Sequence, residues 1–148
     1  MFKKVMWATD GSEAADQALP LARTLAQEGG GELLVIHCEE RTEPFRTGGA
    51  YPAHPNEAEL KAKIEGQVAE LSKSGVSATL EFTEARAGGA AHSIAEVAES
   101  RGADVIAVGT RGHTPLAGLL LGSVTQRLLQ IAPCAVLAVP SMSAARRS

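Results

Sequence analysis

Five short apolar runs recur along this chain, and between them lie segments whose apolar residues repeat at helical spacing. The runs fall at residues 3–9, 32–38, 76–84, 103–108 and 134–139, and each reads as a strand. Strands that alternate with helices in this way imply a parallel sheet covered by helices on both faces, because a parallel neighbour is reached only through a crossover. The runs at Leu33, Leu34, Val35 and Ile36 and from Val105 to Val108 are apolar at successive positions, as strands buried on both faces require. Val76, Ala78, Leu80 and Phe82 instead alternate with polar residues, which marks a half-exposed strand at a sheet edge.

The segments between the strands carry their own signals. Asp10-Gly11-Ser12 follows the first strand, and either Asp10 or Ser12 can cap a helix on which Ala15, Ala18, Leu19, Ala22, Leu25 and Ala26 share a face. Pro20 then falls inside that helix and is expected to kink it, since an interior proline costs about 3 kcal/mol. Gly29-Gly30-Gly31 ends the helix. Residues 39–55, with Pro44, Gly48, Gly49, Pro52 and Pro55, read as a long loop. Asn56 can cap a second helix running to Ser74, with Leu60, Ile64, Val68 and Leu71 on one stripe and Gly66 weakening it. After a turn at residues 86–89, a third helix carries Ile94, Val97 and Ala98 and ends near Gly102. A fourth starts near Gly122, buries Val124, Leu128 and Ile131, and stops before Pro133.

At 148 residues the chain is long enough for one domain with one substantial core. Only 3% of residues are aromatic against 45% hydrophobic overall, so that core must be aliphatic and rich in alanine. A net charge of -3 gives no basic footprint and argues against nucleic acid or an anionic membrane as partner. The apolar start breaks at Asp10, too early for a signal peptide, and no stretch approaches the ~20 apolar residues of a membrane span. Cys38 and Cys134 are expected to be buried thiols in a reducing cytoplasm.

The chemistry concentrates between residues 109 and 125. There a strand ends at Gly109, a loop follows with Arg111, Gly112 and His113, and Gly122-Ser123 opens a helix with Val124 and Thr125 in its first turn. The spacing is G-x2-G-x9-G-[ST]. Glycines allow main chain to approach a ligand closely, and a helix N-terminus offers unpaired N–H groups and the positive end of its dipole to an anion. Ser123 and Thr125 add hydroxyls. The lysine of a Walker P-loop is absent from the pattern, so this is a different phosphate cradle. A strand–loop–helix connection that needs glycine only at its turns is the plainer reading of any one of these residues.

Residues 109–140, taken with Ala8-Thr9-Asp10-Gly11-Ser12, resemble the universal stress protein family and specifically its nucleotide-binding branch. The resemblance covers nearly the whole chain and fits the middle loop least. It implies one α/β domain over residues 1–140, and the polar residues 141–148 that follow are expected to form a loose tail. The implied fold is a Rossmann-like, adenine nucleotide alpha hydrolase-like five-stranded parallel sheet of order 3-2-1-4-5. Strands 1 and 4 are then neighbours at the point where the winding reverses, and ligands of open α/β sheets bind at the carboxyl ends of strands at such a reversal. Carried over residue by residue, Asp10 would hold the sugar or a Mg²⁺ ion on the phosphates, and Ala8 and Cys38 would contact adenine. Gly109, Arg111, Gly112, Gly122, Ser123, Val124 and Thr125 would surround the phosphates of ATP.

Other chemistries find little support. His37, His54, His92 and the cysteines lack metal-ligand spacing, and no nucleophile motif is present. His37 and Cys38 are strand neighbours that point to opposite faces. At most, slow ATP hydrolysis is expected. The final apolar strand, Ala135 to Val139, falls at a sheet edge, and the resemblance implies that two copies pair there as a homodimer. The function implied is that of a cytoplasmic, nucleotide-dependent regulator or sensor in stress response, with an unidentified protein partner. The alternatives are a dimeric interaction module without nucleotide, or a weak ATPase of the same fold.

Overall fold

The computed structural model describes residues 2–39, 57–110 and 122–140. In chain order the elements are β1 (Lys4–Ala8), α1 (Glu13–Asp16), α2 (Leu19–Glu28), β2 (Glu32–Glu39), α3 (Glu57–Lys73), β3 (Ser77–Glu84), α4 (Gly89–Arg101), β4 (Val105–Gly109), α5 (Ser123–Ile131) and β5 (Ala135–Val139). Among the described residues the strands form one sheet of order β3-β2-β1-β4-β5. All four pairings are parallel. This is the order the family resemblance implies.

Alternation along each strand sorts the apolar side chains into two layers. Val5 and Trp7 of β1, Leu33 and Val35 of β2, and Val105 and Ala107 of β4 pack on one face against Ala22 and Ala26 of α2 and Ile64 and Leu71 of α3. Met6, Ala8, Ile36, Ile106 and Val108 pack on the other, against Ala91, Ile94, Ala95 and Ala98 of α4 and Leu128 of α5. The alanine stripes let the helices approach the sheet closely. Trp7, fully buried, donates its indole N–H to the Ala15 carbonyl at 2.9 Å, so the one large aromatic of the core also fixes α1. At the edge, no residue of β3 is buried: Ala78 and Leu80 are half-buried beside exposed Ser77 and Thr79, as the alternating sequence predicts, whereas Phe82 is exposed.

The first helical segment departs from its sequence-based description. Ser12 caps α1 by accepting from Ala15 N at 3.1 Å, but α1 ends at Asp16 and a new helix starts at Leu19. Pro20 therefore lies in the first turn of α2, not in a helix interior. There its missing N–H removes no intrahelical bond and its fixed φ suits the helix. Other boundaries shift by a residue or two: β2 continues through Glu39, and β4 runs from Val105 and includes Gly109. The cysteines differ more. Cys134 precedes β5 instead of beginning it, and both thiols are free but only half-buried.

Candidate functional site

β1 and β4 lie side by side, and their carboxyl ends deliver Asp10 and Gly109 to one end of the sheet. Past β1 the chain makes a tight turn tied by its own side chains. Thr9 N donates to the Ile36 carbonyl at 3.0 Å, Gly11 N to Thr9 Oγ1 at 3.0 Å, and Ser12 N to Asp10 Oδ1 at 2.9 Å. Gly11 has φ of 81°, a region that favours glycine, and a Cβ there would sit 2.5 Å from Leu60 Cδ2. Asp10 is half-buried, while Thr9 and Ser12 on either side are buried. The turn presents the aspartate on a fixed backbone.

On the β4 side, α5 begins beside the strand's end. Gly122 N donates to the Thr110 carbonyl, and Thr110 N to the Val139 carbonyl. Gly122 takes φ -68° and ψ 158° as the N-cap, and no side-chain hydrogen bond caps the helix. Gln126 N makes the first intrahelical bond, to Gly122 O at 3.0 Å, so the N–H groups of Ser123, Val124 and Thr125 stand ahead of the helical ladder. Ser123 is exposed and Val124 half-buried. The Thr125 hydroxyl donates to the Gly109 carbonyl at 2.8 Å and is buried, which pins the helix start to the strand end.

Gly109 has a packing reason of its own. A Cβ there would lie 2.3 Å from the Ala14 carbonyl oxygen, so the close approach it permits is that of α1 to β4. Ala8 and Cys38 lie on the opposite face with Val124, around the second apolar layer. Of the residues read from the sequence, Ala8, Asp10, Cys38, Gly109, Gly122, Ser123, Val124 and Thr125 thus belong to the C-terminal end of the sheet and the start of α5. Arg111 and Gly112 lie outside the described residues. Among the described residues no group of three or more His, Cys, Asp or Glu side chains is placed to hold a metal.

The sequence reading missed a buried pair behind this site. His37, near the end of β2, places Nδ1 2.8 Å from the Thr9 carbonyl oxygen and Nε2 2.8 Å from Glu57 Oε2. Both side chains are at least nine-tenths buried. A carbonyl only accepts, so Nδ1 carries a proton, and a second proton lies between Nε2 and the carboxylate. Beside them, Lys61 of α3 reaches Glu39 at 3.3 Å, and the Phe82 ring meets His37 edge-on. The available signal was modest: an acidic residue in the first turn of α3, which must pack beside the last residues of β2. Residues 40–56 separate the two, and no spacing rule spans them.

Comparison with known proteins follows the same lines. The model of the Universal stress protein family matches residues 1–140. The Bacillus subtilis universal stress protein YxiE is 35% identical over 150 aligned positions, covering 94% of this chain and 99% of that protein. The solved structure of MJ0577, a universal stress protein of Methanocaldococcus jannaschii, superposes with a TM-score of 0.76 at 25% identity, over 95% of this chain and 96% of that one. A universal stress protein from Archaeoglobus fulgidus, solved in complex with dAMP, superposes with a TM-score of 0.66 at 21% identity, over 94% and 98% of the two chains.

Proposed function

Since this chain belongs to the universal stress protein family, we propose that it binds an adenine nucleotide between the carboxyl ends of β1 and β4 and acts as a nucleotide-dependent regulator in stress response. The observation that carries this reading is the convergence of two separate sequence signals. The Asp10 turn, and Gly109 with the helix start at residues 122–125, meet at adjacent strand ends where the sheet reverses its winding. The dAMP bound by the Archaeoglobus protein supports the ligand class.

In this reading the phosphates lie against the first turn of α5, where the N–H groups of Ser123, Val124 and Thr125 precede the helical ladder and the dipole favours an anion. Arg111 and Gly112 complete the phosphate contacts. Ala8 and Cys38 hold the base, and Asp10 holds the sugar. ATP is the nucleotide proposed. Where Mg²⁺ accompanies it, phosphate oxygens and Asp10 hold the ion. Charge-assisted hydrogen bonds contribute about 1.5–3 kcal/mol each, so a few of them suffice for useful affinity without a P-loop lysine. Nucleotide occupancy then alters a surface that a partner protein reads.

Gly122→Val tests the site. The backbone angles at Gly122 are open to any residue, so the variant is expected to fold. A branched side chain at the helix mouth should cut ATP affinity by at least about tenfold, read by calorimetry. Undiminished affinity in a folded Gly122→Val protein would overturn the assignment. Mass spectrometry of small molecules released from freshly purified protein identifies which adenine nucleotide is carried.

A further inference from the structure

Three residues on one stripe of α3 bear on the turn that carries Asp10, two directly and one through His37, and none of them belongs to the proposed nucleotide site itself. Glu57 reaches it through His37, which holds the Thr9 carbonyl at 2.8 Å. Leu60 fills the space beside Gly11 that a Cβ would need. Lys63 Nζ donates to the Gly11 carbonyl at 2.8 Å and also meets Asp16 Oδ2 at 2.8 Å. Positions 57, 60 and 63 recur every three residues, so one side of the helix presents all three to the same few peptide units.

We infer that the buried His37–Glu57 pair is a positioning device for the nucleotide site, fixing the Thr9–Asp10 peptide and coupling the start of α3 to nucleotide binding. The inference rests on the binding reading above. Thr9 is flanked by Ala8 and Asp10, so a rotation of its peptide unit displaces the aspartate. The His37 side chain is bonded to the Thr9 carbonyl, and it is suited to hold it. It has little freedom of its own: Glu57 grips the far nitrogen, the Phe82 ring stands edge-on to it, and His37 and Glu57 are both buried. The charged groups around the pair are Glu39 at the end of β2, Lys61 of α3, which is tied to Glu39, and Glu84 at the end of β3. Breaking one member of such a pair leaves the other buried without its partner, so the two act as a unit.

The test compares His37→Leu, Glu57→Leu and Glu57→Gln in the full chain. Glu57→Gln keeps a hydrogen bond to Nε2, because the glutamine amide can donate to a neutral imidazole whose Nδ1 proton still faces Thr9. ATP affinity by calorimetry should fall about tenfold or more in His37→Leu and in Glu57→Leu, and stay within about threefold of wild type in Glu57→Gln. Backbone amide NMR supplies a readout independent of ligand: the Asp10, Gly11 and Ser12 resonances should shift in both leucine variants and return toward wild type in Glu57→Gln. If folded Glu57→Leu keeps wild-type affinity, or loses no more than Glu57→Gln does, the pair does not position the site. Should the wild-type chain bind no adenine nucleotide at all, the binding reading fails. The amide shifts then decide the positioning claim alone, and unchanged Asp10 to Ser12 resonances in the leucine variants overturn it.

Discussion

Asp104 precedes β4 and is exposed, yet it ties two strands together. Its Oδ2 accepts the main-chain N–H of Lys3 at 2.8 Å and of Lys4 at 2.9 Å, while its own N–H donates to the Lys4 carbonyl at 2.8 Å. The bond from Lys4, then that from Lys3, holds the Asp104 carboxyl below its ordinary value. A carboxylate depressed in the folded state contributes stability above its unfolded pKa and loses it as pH falls through the folded one. Asp104→Asn should therefore lower the melting temperature at neutral pH, and the gap to wild type should narrow as the solution is taken below the ordinary carboxylate range. A gap that stays constant down to strong acid would mean that charge is not what the N–H groups read. The same carboxylate acts on Cys134, whose thiol is pushed up first by burial and then by the Asp104 charge. Near neutral pH Cys134 is accordingly the protonated, less reactive form.

Elements obey the physics of their ends as much as of their middles, and Pro20 shows this. By spacing alone, Ala15 to Ala26 read as one helix with a misplaced proline. The chain breaks that segment after Asp16 and restarts at Leu19, where proline is tolerated without loss of a hydrogen bond. Thr24 Oγ1 even donates back to the Pro20 carbonyl at 3.0 Å. Pro20→Ala should thus change stability by no more than about 1 kcal/mol, and in the destabilising direction, because the gain is unfolded-chain entropy. An increase in stability of about 2–3 kcal/mol in chemical denaturation would instead indicate relief of an interior proline. Strand periodicity, the glycine stop at residues 29–31 and the Ser12 cap were legible because each depends on neighbours within a few residues. The His37–Glu57 contact and the demand of α1 on Gly109 were not, since both arise where segments distant in sequence come face to face. Gly109 is instructive: its glycine signal pointed to a ligand, and packing against Ala14 accounts for the residue on its own.

At the scale of the whole molecule the feature to explain is the edge of β5, which among the described residues pairs only with β4. The sheet is covered by helices on its faces, and β3, the other edge, carries Glu81 paired to Arg101 and Glu84, charges that discourage a further strand. β5 is different: Ala135 to Val139 are all apolar, and none of the five is buried in the single chain, Ala135 being exposed and the rest half-exposed. An apolar strand whose ladder is matched on one side alone among the described residues gains from pairing with a second copy across a two-fold axis, which satisfies both copies by the same contact. The dimer that the family resemblance implies needs only this strand, whereas each residue proposed for the nucleotide site comes from one chain. Ala138→Lys, which sets a charge on a long side chain at that strand, should therefore shift the protein from dimer to monomer in sedimentation velocity at micromolar concentration while leaving ATP affinity within about threefold of wild type. If the variant remains a dimer, the copies meet through another face. If it becomes a monomer and loses nucleotide with it, the site depends on assembly in a way that a single-chain crevice does not explain.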